Sequence, residues 1–241
     1  MAEHKFIIVE LINGFLRWVL GNLGVVVAPE KYIVPPHVVM AVIVTILIIV
    51  FFKLVVKNLS IFPGKLQNVL ELIYKFFQGL VDEIIGHEGR RFIPVLGTLG
   101  LFIAISNLVG LLPEMVSPTA NLNTTAGCAL FIIFYYHSQG IRKHGVLGYI
   151  KTFMGPVWWL APLFLPIELV AHCIARPLSL SMRLFGNIFG EDMVIIIIAS
   201  LIPFIAPLPV MALAVFTSLL QAFIFVMLST IYLAGAVSHE H

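Results

Sequence analysis

Apolar residues fill this chain in long runs with few interruptions. Val38–Phe52 carries no charged side chain, and the run extends to Val56 past Lys53, whose stem lets its ammonium reach an interface. Phe92–Pro113 contains no Asp, Glu, Lys, Arg or His. Asn121–Tyr136 is apolar after a polar start, Thr152–Ile167 is apolar again, and Met193–Ser238 has no charge and no histidine. A helix crossing ~30 Å of hydrocarbon needs about 20 mainly apolar residues. The pattern therefore predicts spanning helices over 38–56, 92–112 and 121–136, followed by two longer membrane helices over 156–202 and 207–237. At 1.5 Å per residue, Leu165–Ile202 would be about 57 Å long and Pro207–Val237 about 46 Å. Both exceed the bilayer core, so they must tilt, kink or fold back. Pro203, Pro207 and Pro209 mark the hairpin between them, and Pro177 predicts a bend in the first. One segment has a different period. In 65–86, Val69, Leu70, Leu72, Ile73, Phe76, Phe77, Leu80 and Val81 recur at helical spacing, with Lys65, Glu71, Lys75 and Asp82 on other faces. It predicts an amphipathic helix lying on a membrane surface.

Composition agrees. Hydrophobic residues make up 60% of the 241 and charged residues 11%, and the mean hydropathy is +1.06. Soluble domains hold roughly 25% charged residues, so the reading is an all-α integral membrane protein in a single membrane domain, 1–241. It has about five membrane-embedded helices, the last two forming a strongly tilted hairpin, plus the one surface helix. The 14 Lys+Arg nearly cancel the 12 Asp+Glu, so no field for a nucleic acid is expected. Cys128 and Cys173 read as small buried hydrophobes, and no clustering suggests a metal site. Glu10 and Arg17 interrupt Met1–Trp18, which does not read as a cleaved signal.

The basic residues set an orientation. The segment Lys53–Arg91, from the end of the first span to the start of the second, holds Lys53, Lys57, Lys65, Lys75, Arg90 and Arg91, and Arg142, Lys143 and Lys151 follow the third span. By the positive-inside bias both loops face the cytoplasm. The N-terminal segment 1–33 is then outside and the C-terminus cytoplasmic.

The candidate chemistry lies in the first long helix. Glu168, His172, Arg176, Ser179, Arg183, Asn187 and Glu191 follow at steps of 4, 4, 3, 4, 4 and 4. At about 100° per residue, those steps place all seven on one helical face. Such a stripe is costly in lipid and should face protein or an aqueous cavity. Glu168 with His172 also reads as a self-satisfied i,i+4 pair, Arg176 as an interfacial anchor, and Ser179 as a small packing residue. Arg183 resists a structural reading. It stays protonated at any ordinary pH, and no acid lies one turn away. Its partner carboxylate must come from elsewhere.

Pro177-Leu-Ser-Leu-Ser-Met-Arg183-Leu-Phe-Gly-Asn187-Ile-Phe-Gly-Glu191-Asp192 resembles subunit a of the rotary F-type ATP synthase membrane sector. Leu220-Gln221-Ala-Phe-Ile-Phe and Tyr232-Leu233, and the earlier Ser106-Asn107-Leu-Val-Gly-Leu-Leu-Pro113 and Ser117-Pro-Thr-Ala-Asn121-Leu-Asn123-Thr-Thr125, are similar to its other signatures. The resemblance runs from Val34 to His241. It implies a bacterial cell-membrane stator subunit packed against a ring of c subunits, each with a membrane carboxylate. It also implies b-type peripheral stalk subunits and the rest of the synthase as partners, with no cofactor and no nucleotide site on this chain. Two offset half-channels would reach the ring from opposite sides, and Arg183 would be the essential arginine between them. Asn187, Glu191, Asp192, Gln221, Asn107, Asn121 and Asn123 match the outside channel. Glu168, His172, Ser179 and Arg176 match the cytoplasmic one.

Three positions depart from the family pattern. Acids stand at both eight and nine residues after Arg183, where one is usual at nine. Helical geometry turns Glu191 toward the ring and Asp192 toward the second long helix, and both remain candidates. Ala214 stands where some members place a histidine. Glu168 is fifteen rather than fourteen residues before Arg183, which implies either a one-residue bulge near His172–Ala175 or a shifted acid. A secondary transporter or ion channel with an intramembrane arginine is the competing reading, opposed by the absence of visible internal repeats. A membrane enzyme built on His172 and Glu168 would have too few ligands for a metal. No glycine-rich phosphate loop is present.

Overall fold

The computed structural model describes residues 7–22, 32–57, 59–60, 62–112, 115–153, 161–203 and 205–237. Parts of the expected segments 1–33 and 156–202 lie outside these residues. The described chain is helical, in the order α1 (Ile7–Asn22), α2 (Pro36–Val56), α3 (Lys65–Ile84), a 3-10 turn (His87–Phe92), α4 (Ile93–Gly110), a 3-10 turn (Pro118–Ala120), α5 (Leu122–Thr152), α6 (Ala161–Val170), a π-turn (Ala171–Ala175), α7 (Arg176–Leu201) and α8 (Pro207–Val237). Among the described residues, four helices are long and apolar enough to cross a membrane: Pro36–Val56, His87–Gly110, Pro162–Leu201 and Pro207–Val237. The fifth expected span, 121–136, is the first half of α5. That helix runs on to Thr152 through Arg142, Lys143 and Lys151, and is not among the four.

Packing of α4, α5, α7 and α8 makes the core. Phe92, Leu96 and Ile103 meet Ile132, Tyr136, Leu180, Leu184, Phe225, Val226 and Leu233, each 2% exposed or less. On α8 the buried positions Ala214, Ser218, Gln221, Ala222, Phe225, Val226, Ser229, Thr230 and Leu233 recur at steps of three, four and one, a single stripe along the helix. α2 is apolar all round, and Val42, Ile46, Leu47, Val50 and Leu54 are exposed, the surface expected of a helix meeting lipid. α3 lays only Phe77 and Val81 into the core.

Lipid is as apolar as leucine, so hydrogen bonds and close packing hold membrane helices together. Asn107 Nδ2 donates to the Ser218 carbonyl at 3.1 Å and ties α4 to α8, while Thr119 Oγ1 donates to Asn107 Oδ1. Ser117 Oγ donates to the Ser106 carbonyl at 3.0 Å. Outside the apolar layer, Arg90 grips Asp82 through Nε at 2.9 Å and Nη2 at 2.7 Å, and holds that carboxyl below the usual range. Cys173, expected to be buried, is exposed. It lies on the outer side of the π-turn, where a small thiol needs no protein partner.

Asn13 fastens the N-terminal helix. Its Nδ2 donates to the carbonyls of Val9 and Val34 at 2.9 and 3.1 Å, and its Oδ1 accepts from the amides of Ile33 and Val34 at 2.8 and 2.9 Å. Asn13→Ala strands two amides, a loss of ~1–3 kcal/mol per group left unpaired. We expect amide exchange at Ile33 and Val34 to rise by about tenfold or more in the variant, while exchange in α8 stays unchanged.

Candidate functional site

α6, the π-turn and α7 form one continuous helix from Pro162 to Leu201, and Arg183 sits near its middle. The π-turn supplies the extra residue that the Glu168 spacing implied. It also allows Pro177 to enter: Pro177 stands in the first turn of α7, where its missing N–H is least costly. A π-turn carries an additional residue per turn, so the helix faces before and after it do not align.

The seven polar residues consequently do not share one side, as the even spacing suggested. His172 and Arg176, at the turn, point into the chain, while Glu168 before it stays half-exposed. His172 packs against the Tyr136 ring of α5, and Arg176 lies over the Tyr232 ring of α8 at 4.7 Å. Glu168 Oε2 is 3.2 Å from His172 Nδ1, which also sits 2.9 Å from the Glu168 carbonyl. Beyond the turn the stripe faces outward. Ser179, Arg183 and Asn187 are exposed, while Pro177, Leu180, Ser181, Leu184 and Ile188 fill the opposite, buried face. Among the described residues, no carboxylate stands within ion-pair distance of Arg183. Gly186 and Gly190 border the arginine face, and a Cβ at either would meet open space. Small residues of this kind let another helix approach closely.

Glu191 and Asp192 are both half-buried. Gln221 is 9% exposed, on the α8 stripe one turn beyond the Ser218 that holds Asn107. The three asparagines have separate tasks. Asn107 is buried and bonded through both Nδ2 and Oδ1, Asn121 caps α5 by accepting from the Asn123 amide at 3.0 Å, and the Asn123 side chain is exposed. Among the described residues, no three His, Cys, Asp or Glu side chains gather as a metal site would require.

One group escaped the sequence reading. His137 and Tyr149, twelve residues apart, meet with Nδ1 and Oη at 2.9 Å. The signal was present in Gly145, whose φ of +71° breaks α5 and returns the chain toward its own first half. Thr119 and Ser218 were likewise missed, because their partners are distant in sequence.

The family model described as ATP synthase A chain matches residues 38–234. The ATP synthase subunit a of Syntrophobacter fumaroxidans is 46% identical over 235 residues, covering 94% of this chain and 98% of that protein. That of Oleidesulfovibrio alaskensis is 52% identical over 184 residues, with 76% and 78% covered, and subunit a 1 of Syntrophotalea carbinolica is 43% identical over 230, with 94% and 97% covered. With the model spanning the four core helices and the relatives matched along most of their lengths, the chain belongs to the ATP synthase A chain family.

Proposed function

We propose that this chain is the stator subunit a of a rotary F-type ATP synthase, moving protons to and from the carboxylates of a c-subunit ring. One observation carries the reading: a permanent cation, mid-way along an apolar helix, faces outward, and among the described residues no acid stands within ion-pair distance of it. A charge held so is expensive in lipid unless a partner of opposite sign covers it. A passing ring carboxylate is such a partner, and the flanking Gly186 and Gly190 leave room for its helix.

The mechanism follows from charge and dielectric. A protonated ring carboxyl is neutral and faces lipid cheaply, whereas an ionised one does not. Arg183 gives the ionised form a place to exist. At about 4 Å and an effective dielectric near 20 the pair attracts by ~4 kcal/mol, which favours proton release as a ring site arrives. Glu168, His172, Arg176 and Ser179 line the cytoplasmic half-channel that takes the proton. Past the arginine, Asn187 with Glu191 or Asp192, and Gln221, Asn107, Asn121 and Asn123, serve the outside half-channel that reloads the site. The fixed cation blocks a direct path between the two. One proton crossing 100 mV yields ~2.3 kcal/mol, so the attraction must be transient for the ring to turn.

Five membrane-embedded helices complete the reading, with the first half of α5 as the fifth and α3 on the cytoplasmic surface. The N-terminus is outside, the C-terminus is cytoplasmic, and the membrane is that of a bacterial cell. Peripheral-stalk subunits of b type hold the chain still, and nucleotide chemistry belongs to other subunits.

Cross-linking tests the interface. A Gly186→Cys chain in the assembled membrane complex should link to a small, two-helix, acid-bearing protein, whereas a cysteine at Val50 on the outer face of α2 should not. Equal labelling at the two positions, or no such product at 186, defeats the reading.

A further inference from the structure

The fold builds a compact side-chain cluster at the broken end of α5, outside the polar stripe. Gly145 turns the chain so that Tyr149 packs back on α5 and its hydroxyl reaches His137 Nδ1 at 2.9 Å. Gly140 leaves space for that return, since a Cβ there would collide with the Tyr149 ring. The Tyr136, Phe153 and His172 rings close around the imidazole, with centroids at 4.3, 6.4 and 6.3 Å from its own. His137 Nε2 is shielded from solvent and has no hydrogen-bond partner in the chain. A buried ring nitrogen left so is costly, and a site that fixes the imidazole through Nδ1 leaves Nε2 as the nitrogen available for exchange.

The neighbouring ring connects to the stripe. His172 sits in the π-turn, a feature frequent at functional sites, with Glu168 Oε2 3.2 Å from its Nδ1. Tyr136 Oη donates to the His172 carbonyl at 3.3 Å and fixes the turn against α5. Glu168 remains 43% exposed. A half-exposed carboxylate, a first imidazole and a second, shielded imidazole therefore succeed one another across three chain segments.

We propose that His137 is a further proton-carrying residue, exchanging with His172 across one bridging water, and that Tyr149 is the residue that positions it. The proposal rests on the proton-translocating reading above and extends its cytoplasmic half-channel. The neutral ring takes one proton at Nε2 from the water on the His172 side and becomes imidazolium, with Tyr149 Oη accepting from Nδ1. It gives the same proton up from Nε2 to water leading to the cytoplasm, so each group ends as it began. The groups facing the pair are Tyr136 and Tyr149 from α5, Arg176 from α7, Tyr232 of α8 behind it, and Glu168 from α6. Arg176 is the fixed cation among them, and it limits how long a second positive charge stays.

The test uses the assembled complex in inverted membrane vesicles, with ATP-driven proton uptake followed against cytoplasmic-side pH. His137→Gln should lower uptake at least about tenfold, and imidazole added on the cytoplasmic side should restore part of it. Tyr149→Phe keeps the ring but frees the imidazole, and should displace the pH profile with a smaller loss of rate. A wild-type rate and profile in His137→Gln overturns the proposal, as does an equal loss at every pH that imidazole does not relieve. If His137→Gln does not assemble, an unchanged profile in Tyr149→Phe overturns it. Arg183→Ala is assayed alongside: coupled uptake surviving there would instead defeat the translocation reading itself, whatever His137 does.

Discussion

Arg183→Ala should abolish proton-driven ATP synthesis and ATP-driven proton uptake while the chain remains folded and assembled. The fold is spared because the guanidinium touches none of the residues that hold α7. Its buried face is Pro177, Leu180, Ser181, Leu184 and Ile188, and the arginine points away from them. Function is not spared, because nothing else on that face offers a positive charge. Ser179 and Asn187, the adjacent exposed stripe members, are neutral, and Arg176 is turned inward over Tyr232. Losing ~4 kcal/mol of attraction for an ionised ring site corresponds to about a thousandfold in its population. The coupled rate should fall by a comparable factor. Removing the cation also removes the barrier between the half-channels, so passive proton leak through the membrane sector should rise. Arg183→Lys should restore part of the barrier and little of the coupling, since a compact ammonium lacks the two-pronged grip on a carboxylate. Synthesis at the normal rate in Arg183→Ala vesicles, with the complex assembled, would refute the assigned role.

The sequence revealed the parts of this molecule that are periodic or costly. Long uncharged runs predicted helices at α2, α4 and α8, because a spanning segment has a required length and composition. Arg183 was legible for the opposite reason: one charge in an apolar run is expensive enough to need an explanation. What periodicity concealed was the change of face. Even steps of three and four across Glu168–Glu191 assume an unbroken α-helix, and the π-turn at Ala171–Ala175 turns His172 and Arg176 inward and leaves Arg183 outward. The one-residue excess before Arg183 was the only sequence trace of it. The extension of α5 past Tyr136 escaped because Arg142, Lys143 and Lys151 end the apolar run without ending the helix. Polar clusters were hidden for a topological reason. Asn107 meets Ser218 across 111 residues, and no local pattern encodes such a meeting.

The two adjacent acids of α7 should not be equivalent. α7 is regular from Arg176 to Leu201, so positions follow the ordinary angular step without correction. Asn187 lies about 40° from Arg183 around the axis, Glu191 about 80°, and Asp192 about 180°. Glu191 is therefore the nearer of the two to the arginine, on the border with the buried Leu180 and Leu184, whereas Asp192 lies across the helix from the arginine. Glu191→Gln should be the more severe single change, because it removes the exchangeable proton nearest the arginine face. General acid–base groups typically contribute about 10²–10⁴-fold, and a loss of coupled flux toward the lower end of that range is expected. Asp192→Asn should cost less than about tenfold, since its proton must reach the ring by way of Glu191 or water. Proton flux in the two single variants, measured in the same vesicle preparation, decides the order. If Asp192→Asn proves the more damaging, protons reach the ring from between α7 and α8, and the geometric assignment of the outside acid must be reversed.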